Sequence, residues 1–522
     1  MMTYYLPVAL VCSGLFFFLS YYGYKTKGPG FVFVCGLGLL LILRLMTALY
    51  PGIWNTDEAE WVSLARTLPN CDVPYRCYDA HSTGYFSIFI LKSFHYLGIP
   101  YTYSSMRVFG LFFFFLPSIT LFYFTIKHIY NYQVVTLGIT LLLHYYLFGA
   151  HCYDLFAYNS EYIVMLFISI TYYCYIRYTR DKKFIGLVIA AICIGIMPLS
   201  KLQSLPLAFG FTVLFFIYFF KNKRFRDLFI FCAVGIVPLG ITLLVFWRLG
   251  VVWEFWQMYI VANRYLVNHY SNTNLFGRVK VFIYLQRWLT PYYVLMFLML
   301  FMAWRGKKLN WSIIREIDFG QLLVLLCAYF SVAATGTGAE HYLTLLMIPF
   351  FLVLTNIISA LDIEVYLGNA KRLAWYSLLL AGIAVMFLVL PEFKPWKERI
   401  YHMKRPVKTN LVAYVQKYIP AGDPLCVIGW FDAVEVQVSC ERPLATRTAH
   451  NFYLLADKDT ALMHFFQQQY ISDLERSKPL LVIDPSYDMD SLLMQPVKEY
   501  ILGKYQFDTV IDDSRVFKRI NQ

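Results

Sequence analysis

Long apolar runs separated by short polar breaks dominate the first 391 residues. A bilayer span takes about 20 mostly apolar residues. The runs predict helices near 4–22, 31–50, 105–126, 133–150, 160–176, 185–200, 204–220, 228–247, 288–304, 319–335, 341–360 and 373–391. The sixth and seventh of these twelve are short and separated only by Ser200, Lys201, Leu202 and Gln203. Two longer polar stretches, 51–104 and 248–287, interrupt the series. After residue 391 charges and prolines return and the apolar runs shorten. There LCVIG (Leu425–Gly429) and PLLVID (Pro479–Asp484) read as short buried strands, and 406–419 and 458–476 as helices. The pattern therefore predicts an α-helical polytopic membrane domain, 1–391, followed by an α/β domain, 392–522. No internal repeat or low-complexity segment is evident.

Composition agrees with this division. Apolar residues make up 59% of the chain and charged residues 15%, where a soluble domain carries about 25% charged residues. Mean hydropathy is +0.54. Aromatic residues reach 19%, with 43 Tyr and 46 Phe. Interfacial belts use part of these, and a cavity handling sugars or lipid tails would use more. The net charge of +13 would suggest nucleic acid in a soluble protein, but here the basic residues sit in short loops between apolar runs and no nucleic-acid motif accompanies them.

Those loops set the expected orientation. One alternate set holds Lys25, Lys27, Lys127, Arg177, Arg180, Lys182, Lys183, Lys221, Lys223, Arg224, Arg226, Arg305, Lys307, Lys308, Arg315, Lys371 and Arg372. The opposite set has about nine basic residues in roughly 110 positions, so the dense set should be cytoplasmic. The N-terminus, the loops 51–104 and 248–287 and everything after 391 then lie outside the cytoplasm. The first apolar stretch lacks a basic leader and a small-residue cleavage site, so it reads as a retained span.

Of the 11 Cys, seven fall in or beside predicted spans, where a thiol is an ordinary small hydrophobe. Cys71 and Cys77 lie in the first outer loop, and Cys426 and Cys440 in the tail. Outside the cytoplasm disulfides persist, so Cys71–Cys77 and Cys426–Cys440 are two candidate bridges, with unpaired thiols the alternative. A zinc site would need more ligands than His81, the one candidate close by. A divalent metal requirement stays open.

Chemistry concentrates just after the second span, in PGIWNTDEAEWVSLARTL. Asp57 and Glu58 are adjacent acids there, at the head of an amphipathic helix. Two readings stand side by side. Thr56 or Asp57 caps the helix, with acids suiting its N-terminal dipole, or a carboxylate waits at the membrane edge for a lipid-linked substrate. Lys201 lies at a helix break near the outer interface, where an ammonium either has an anionic partner, faces water or snorkels. Arg264 and His269 lie in the second outer loop, either solvated or lining the same cavity. His341 and Tyr342 open the eleventh span, with His341 either a phosphate or sugar contact or paired with Glu340 or backbone. Arg442 and Arg447 in the tail read as surface or docking residues.

The order of four motifs resembles the GT-C glycosyltransferases, and more narrowly the bacterial branch akin to protein O-mannosyltransferases (glycosyltransferase family 39) and lipid A aminoarabinose transferases. The first is a span followed by Asp57-Glu58-Ala59 and then Ala65-Arg66. The second, PLSKLQSLPLA (Pro198–Ala208), looks like that group's Lys-containing helix break. The third, GTGAEHYLTLLMIPF (Gly336–Phe350), resembles its short outer loop with His-Tyr and a Pro-containing helix. The fourth is Val412–Arg447, with a helix, a Pro-Gly-Asp-like turn, a strand, Gly-Trp and R-P-x-x-R. The chain departs from the pattern at DAHSTGYFSIF (Asp79–Phe89), which replaces a Lys-Pro-Pro-like element, and in an extra span at the N-terminus.

The resemblance implies an inverting transfer of a hexosyl or pentosyl group from a polyprenyl-phosphate donor to a glycan, lipid or protein acceptor at the outer face of the membrane. That points to a bacterial inner membrane with a periplasmic tail. No nucleotide is needed, and no P-loop or Gly-rich Rossmann fingerprint is present. The implied roles are a base for the acceptor hydroxyl, suiting Asp57, an orienting acid, Glu58, and a cationic clamp for the phosphate, with Lys201 first and Arg264, His269 and His341 after it. A transporter or flippase of lipid-linked sugars, or a non-catalytic assembly subunit of the same fold, remains the alternative.

Overall fold

The computed structural model describes residues 5–79, 83–149, 153–269, 275–305, 319–334, 336, 338–360, 408–455 and 460–520. Contacts divide the chain into two compact units. The first comprises Met1–Tyr50, Arg107–Ile241 and Val267–Ile400, and the second Pro51–Met106, Thr242–Leu266 and Tyr401–Gln522.

The chain is a multi-pass membrane protein. Five of its described helices are long and apolar enough to cross a bilayer unaided: Pro29–Ala48, Tyr103–Ile129, Leu202–Lys221, Phe225–Leu249 and Glu340–Ala360. Helices Pro7–Tyr22, Tyr132–Leu147, Phe184–Ser200 and Phe319–Ala333 are apolar but shorter. Glu161–Asp181 and Thr290–Arg305 occupy two further apolar runs. The twelfth expected helix, 373–391, lies outside the described residues.

Phe225–Leu249 shows why hydrocarbon is the solvent here. Phe229, Ile236, Leu244 and Trp247 all point away from the protein. A helix apolar on every face and this exposed is at home only among lipid tails. Close helix contact within the first unit depends on small residues. A Cβ on Gly36 would come within 2.5 Å of the Phe16 ring and 2.6 Å of a Leu143 methyl, so both side chains pack directly on the backbone of Pro29–Ala48 there.

The second unit carries a four-stranded sheet in the tail: β1 (Cys426–Val427), β2 (Leu481–Asp484), β3 (Tyr505–Ile511) and β4 (Ser514–Arg519), in the order β1-β2-β4-β3. β1 and β2 are parallel, while β4 runs antiparallel to both β2 and β3. Asp512 and Asp513 between β3 and β4 both have positive φ, 48° and 59°, the backbone a two-residue hairpin loop demands. Helices Thr409–Tyr418 and Phe431–Cys440 pack on the sheet through Leu411, Val415, Val427, Val436, Cys440 and Ile483.

Cys71 and Cys77 form a disulfide. The bridge considered between Cys426 and Cys440 does not form, because both are free and buried. Successive strand residues face opposite sides. Val427 shares the core containing Cys440, so Cys426 points the other way, with its Sγ 3.1 Å from the Tyr470 hydroxyl. Burial pushes both thiols up to about 12. At pH 8 such thiols are thiolate in only about one part in ten thousand, and the thiolate is the reactive form. Maleimide labelling at pH 8 should therefore miss Cys71 and Cys77 until reductant is added. It should miss Cys426 and Cys440 until the tail unfolds, whether or not reductant is present. Mass mapping of labelled peptides reads all four, and prompt labelling of Cys426 in folded protein would contradict the packing of β1.

Candidate active site

In the second unit, the helix Thr56–Thr67 carries the adjacent acids. Its cap is neither Thr56 nor Asp57 but Asn55, whose backbone is extended (φ −145°, ψ 166°) and whose Oδ1 accepts the Glu58 amide at 2.9 Å. An extended residue with a short acceptor is what that position selects. Glu58 is 0% exposed, and its Oε2 accepts the Trp54 N–H at 3.3 Å. That reach back over the helix start is close to a capping box. The two neighbours thus part company: Glu58 turns inward to the chain entering the helix, while Asp57 stands half-buried in the first turn.

Glu60 lies three residues from Asp57 and so on the same helix face. Its Oε2 is 3.5 Å from Nε2 of His450, and His450 in turn lies against Trp430, ring centroids 6.4 Å apart. The other end of the helix is fastened to the tail. Arg66 donates to the Val438 carbonyl at 2.5 Å and twice to that of Tyr101, and Thr67 Oγ1 accepts the Leu444 amide at 3.1 Å. Burial pulls the Arg66 guanidinium below its ordinary pKa, with Glu441 opposing.

Arg442 and Arg447 are buried rather than surface residues, and of the two Arg447 reaches beyond the tail. Arg442 donates to the carbonyls of Ile419 and Cys440. Arg447 grips both oxygens of Asp473 at 2.8–2.9 Å and reaches the Tyr75 carbonyl at 2.8 Å. Arg264, on the helix Ala262–His269, is exposed, and the His269 side chain lies outside the described residues.

The first unit holds the remaining candidates. Pro198 and Pro206 flank Lys201, which is extended (φ −156°, ψ 117°) between the helices Phe184–Ser200 and Leu205–Lys221. The break turns its side chain inward. Lys201 Nζ lies 3.0 Å from Glu161 Oε1, with the two side chains 4% and 1% exposed. Its ammonium is also 5.4 Å from the Tyr342 ring centroid. Lys201 therefore has an anionic partner and does not snorkel.

His341 pairs with Asp154, not with Glu340. Asp154 Oδ2 accepts both its backbone N–H (3.0 Å) and its Nδ1 (2.7 Å). Its Nε2 lies 3.8 Å from the same Glu161 oxygen that meets Lys201. Glu340 takes Arg287 at 2.5 Å instead, and the guanidinium carbon of Arg287 stands 3.8 Å from the Tyr284 ring centroid. The structure thus brings Lys201, His341 and Tyr342 together and adds Asp154, Glu161, Glu340 and Arg287. The signal for Glu161 and Asp154 was available: ionisable residues at the edge of a span are costly unless paired or used. Among the described residues no three His, Cys, Asp or Glu side chains are grouped to hold a metal ion.

No family model and no curated protein matches the sequence. Among solved structures, apo ArnT from Cupriavidus metallidurans, a lipid A aminoarabinose transferase, superposes with a TM-score of 0.53 at 11% identity, covering 93% of this chain and 97% of that one. The same protein bound to undecaprenyl phosphate gives a TM-score of 0.56 at 12% identity, covering 94% and 98%. The chain shares the fold of ArnT. A looser likeness links it to the apo oligosaccharyltransferase of Archaeoglobus fulgidus, at a TM-score of 0.41 and 11% identity over 86% of this chain and 69% of that one. At these identities the likeness is one of fold.

Proposed function

We propose that the protein is an inverting glycosyltransferase that moves a sugar from a polyprenyl phosphate to an envelope glycan, lipid or protein acceptor outside the cytoplasm. What carries the reading is the buried cluster of Lys201, Glu161, His341 and Asp154 at a helix break, in a chain that shares the fold of ArnT. A buried ammonium suits an anion that arrives by lipid, because it carries three N–H donors and its charge-assisted hydrogen bonds to phosphate oxygens are strong. The ArnT neighbour was solved with undecaprenyl phosphate, and we assign the same class of carrier here.

In this reading Lys201, with His341 held by Asp154, takes the phosphate. Arg287 is a further cation for it. The Asp57 carboxylate removes the acceptor hydroxyl proton as the oxygen attacks the anomeric carbon. The bond from that carbon to the phosphate oxygen breaks, and the electron pair leaves on the polyprenyl phosphate. Glu58 positions the helix start that carries Asp57.

Purified protein in liposomes, given radiolabelled polyprenyl-phosphate sugar and envelope extract, should transfer label to acceptor. Movement of labelled lipid across the bilayer without transfer would make it a flippase, and neither activity would leave an assembly subunit.

The reading includes twelve spans with the N-terminus outside, 392–522 as an extracytoplasmic domain, and residence in a bacterial inner membrane. Alkaline phosphatase fused after Gln522 should be active, and a cytoplasmic reporter at the same point silent. The opposite pattern would mean an odd number of spans.

A further inference from the structure

We propose that Arg44 is a positioning residue that keeps Asp154 in register with His341. Arg44 belongs to the otherwise apolar helix Pro29–Ala48, four residues from its end. A guanidinium in such a helix is costly and calls for an explanation. It is 6% exposed, makes no ion pair among the described residues, and leaves Nη2 without a hydrogen-bond partner there. Its charge is met by rings instead: the guanidinium carbon lies 5.0 Å from the Phe115 centroid, 5.2 Å from Phe156 and 5.8 Å from Tyr146. A flat, weakly hydrated cation suits such a cage. Two of the rings are set by π-turns, Leu111–Phe115 and Tyr145–Gly149, each of which inserts a residue and re-aims side chains.

The cage directs one hydrogen bond. Arg44 Nη1 donates to the Leu155 carbonyl at 2.8 Å, and the Tyr162 hydroxyl donates to the same oxygen at 2.6 Å. Leu155 follows Asp154 in the single turn Tyr153–Leu155. Asn159 Nδ2 holds the Asp154 carbonyl itself at 2.7 Å. The peptides on the C-terminal side of Asp154 are thus fixed by three side chains, and one carboxylate oxygen can serve both donors of His341 at 3.0 and 2.7 Å. Hydrogen bonds weaken steeply once distance and angle drift. Removing the Leu155 clamp should therefore loosen the Asp154–His341 pair without touching either residue.

The consequence for binding rests on reading this cluster as the lipid-phosphate site, whereas the consequence for the loop does not. The experiment compares Arg44→Met, Arg44→Lys, Tyr162→Phe and Asp154→Asn in nanodiscs, with undecaprenyl phosphate as the probe. Deuterium exchange at 153–160 and 340–343 should rise several-fold in Arg44→Met, less in Tyr162→Phe, and recover in part in Arg44→Lys. Affinity for the probe should fall roughly tenfold in Arg44→Met, as loss of a charged hydrogen bond would predict. Arg44→Met combined with Asp154→Asn should bind no worse than Asp154→Asn alone, because both break one unit. Unchanged exchange in those segments, or losses that multiply in the double variant, overturns the inference. If Arg44→Met fails to fold, Tyr162→Phe and Arg44→Lys carry the same comparison. If Lys201→Gln leaves probe binding intact, the phosphate-site reading fails, and the exchange data still decide the role of Arg44.

Discussion

Asp57→Asn should cost between about a hundredfold and ten-thousandfold in sugar transfer, the range a general base supplies, while the protein stays folded and still binds its lipid donor. An acceptor hydroxyl is a weak nucleophile at neutral pH, and the asparagine amide keeps the shape of the side chain but cannot take the proton. Folding should survive because Asn55 caps the helix and Glu58 is the acid that reaches back to Trp54. Losing a charge in the first turn costs about 0.3–1 kcal/mol of dipole stabilisation, a shift of a few degrees at most in the melting temperature. Glu58→Gln should show the opposite balance, with a clear loss of thermal stability and a smaller loss of rate. Initial rates and melting curves on the same preparations separate the two. If Asp57→Asn retains more than about a tenth of the activity, which is less loss than a base would give, the base must be sought elsewhere.

Lys201→Gln should damage both stability and donor use, and the two effects can be pulled apart. Removing the ammonium leaves Glu161 buried and unpaired by its nearest cation, which typically costs about 3–5 kcal/mol. Lys201→Gln combined with Glu161→Gln removes both charges and should recover most of the melting temperature. Donor affinity should not recover, because the cation that meets the phosphate is still absent. The apparent requirement for lipid donor should rise roughly tenfold to a hundredfold, the worth of a charged hydrogen bond. Lys201→Arg keeps the charge and should lie between wild type and Lys201→Gln. Full recovery of donor affinity in the double variant would show that Lys201 serves only to neutralise Glu161.

Much of this is legible in the sequence. Spans announce themselves because each satisfies its backbone bonds internally and needs only a long apolar run. The strands Leu481–Asp484 and Cys426–Val427 lie within the two short apolar runs of the tail. The β3–β4 hairpin did not stand out, since β3 is largely exposed and its alternation is weak. Near Asp57 the motif is visible, but the cap lies one or two residues earlier than expected, because Asn55, Thr56 and Asp57 all have capping side chains and only the backbone angles choose. The partners of Lys201 and His341 were the least legible. Glu161 lies 40 residues before Lys201, and Asp154 lies 187 before His341, so no local spacing joins them. Arg44 was invisible for a different reason: its partners are rings and a carbonyl, and no charge pattern marks them.

The second unit is assembled from three stretches, Pro51–Met106, Thr242–Leu266 and Tyr401–Gln522. The helix bearing Asp57 is fastened to Val438, Leu444 and His450, and Tyr75 to Arg447. The earliest of these segments is synthesised more than 300 residues before its anchors. A growing chain therefore carries that helix with its buried face uncovered until residues 438–450 have been made, the kind of long-range closure that folds late and exposes apolar surface meanwhile. A ribosome that stops early, or a protease that trims the tail, leaves the acids near residue 57 on a helix held only by its own loop, through Trp54 and Tyr101. In this chain the segment Val438–His450 decides whether the region bearing Asp57 is ever finished.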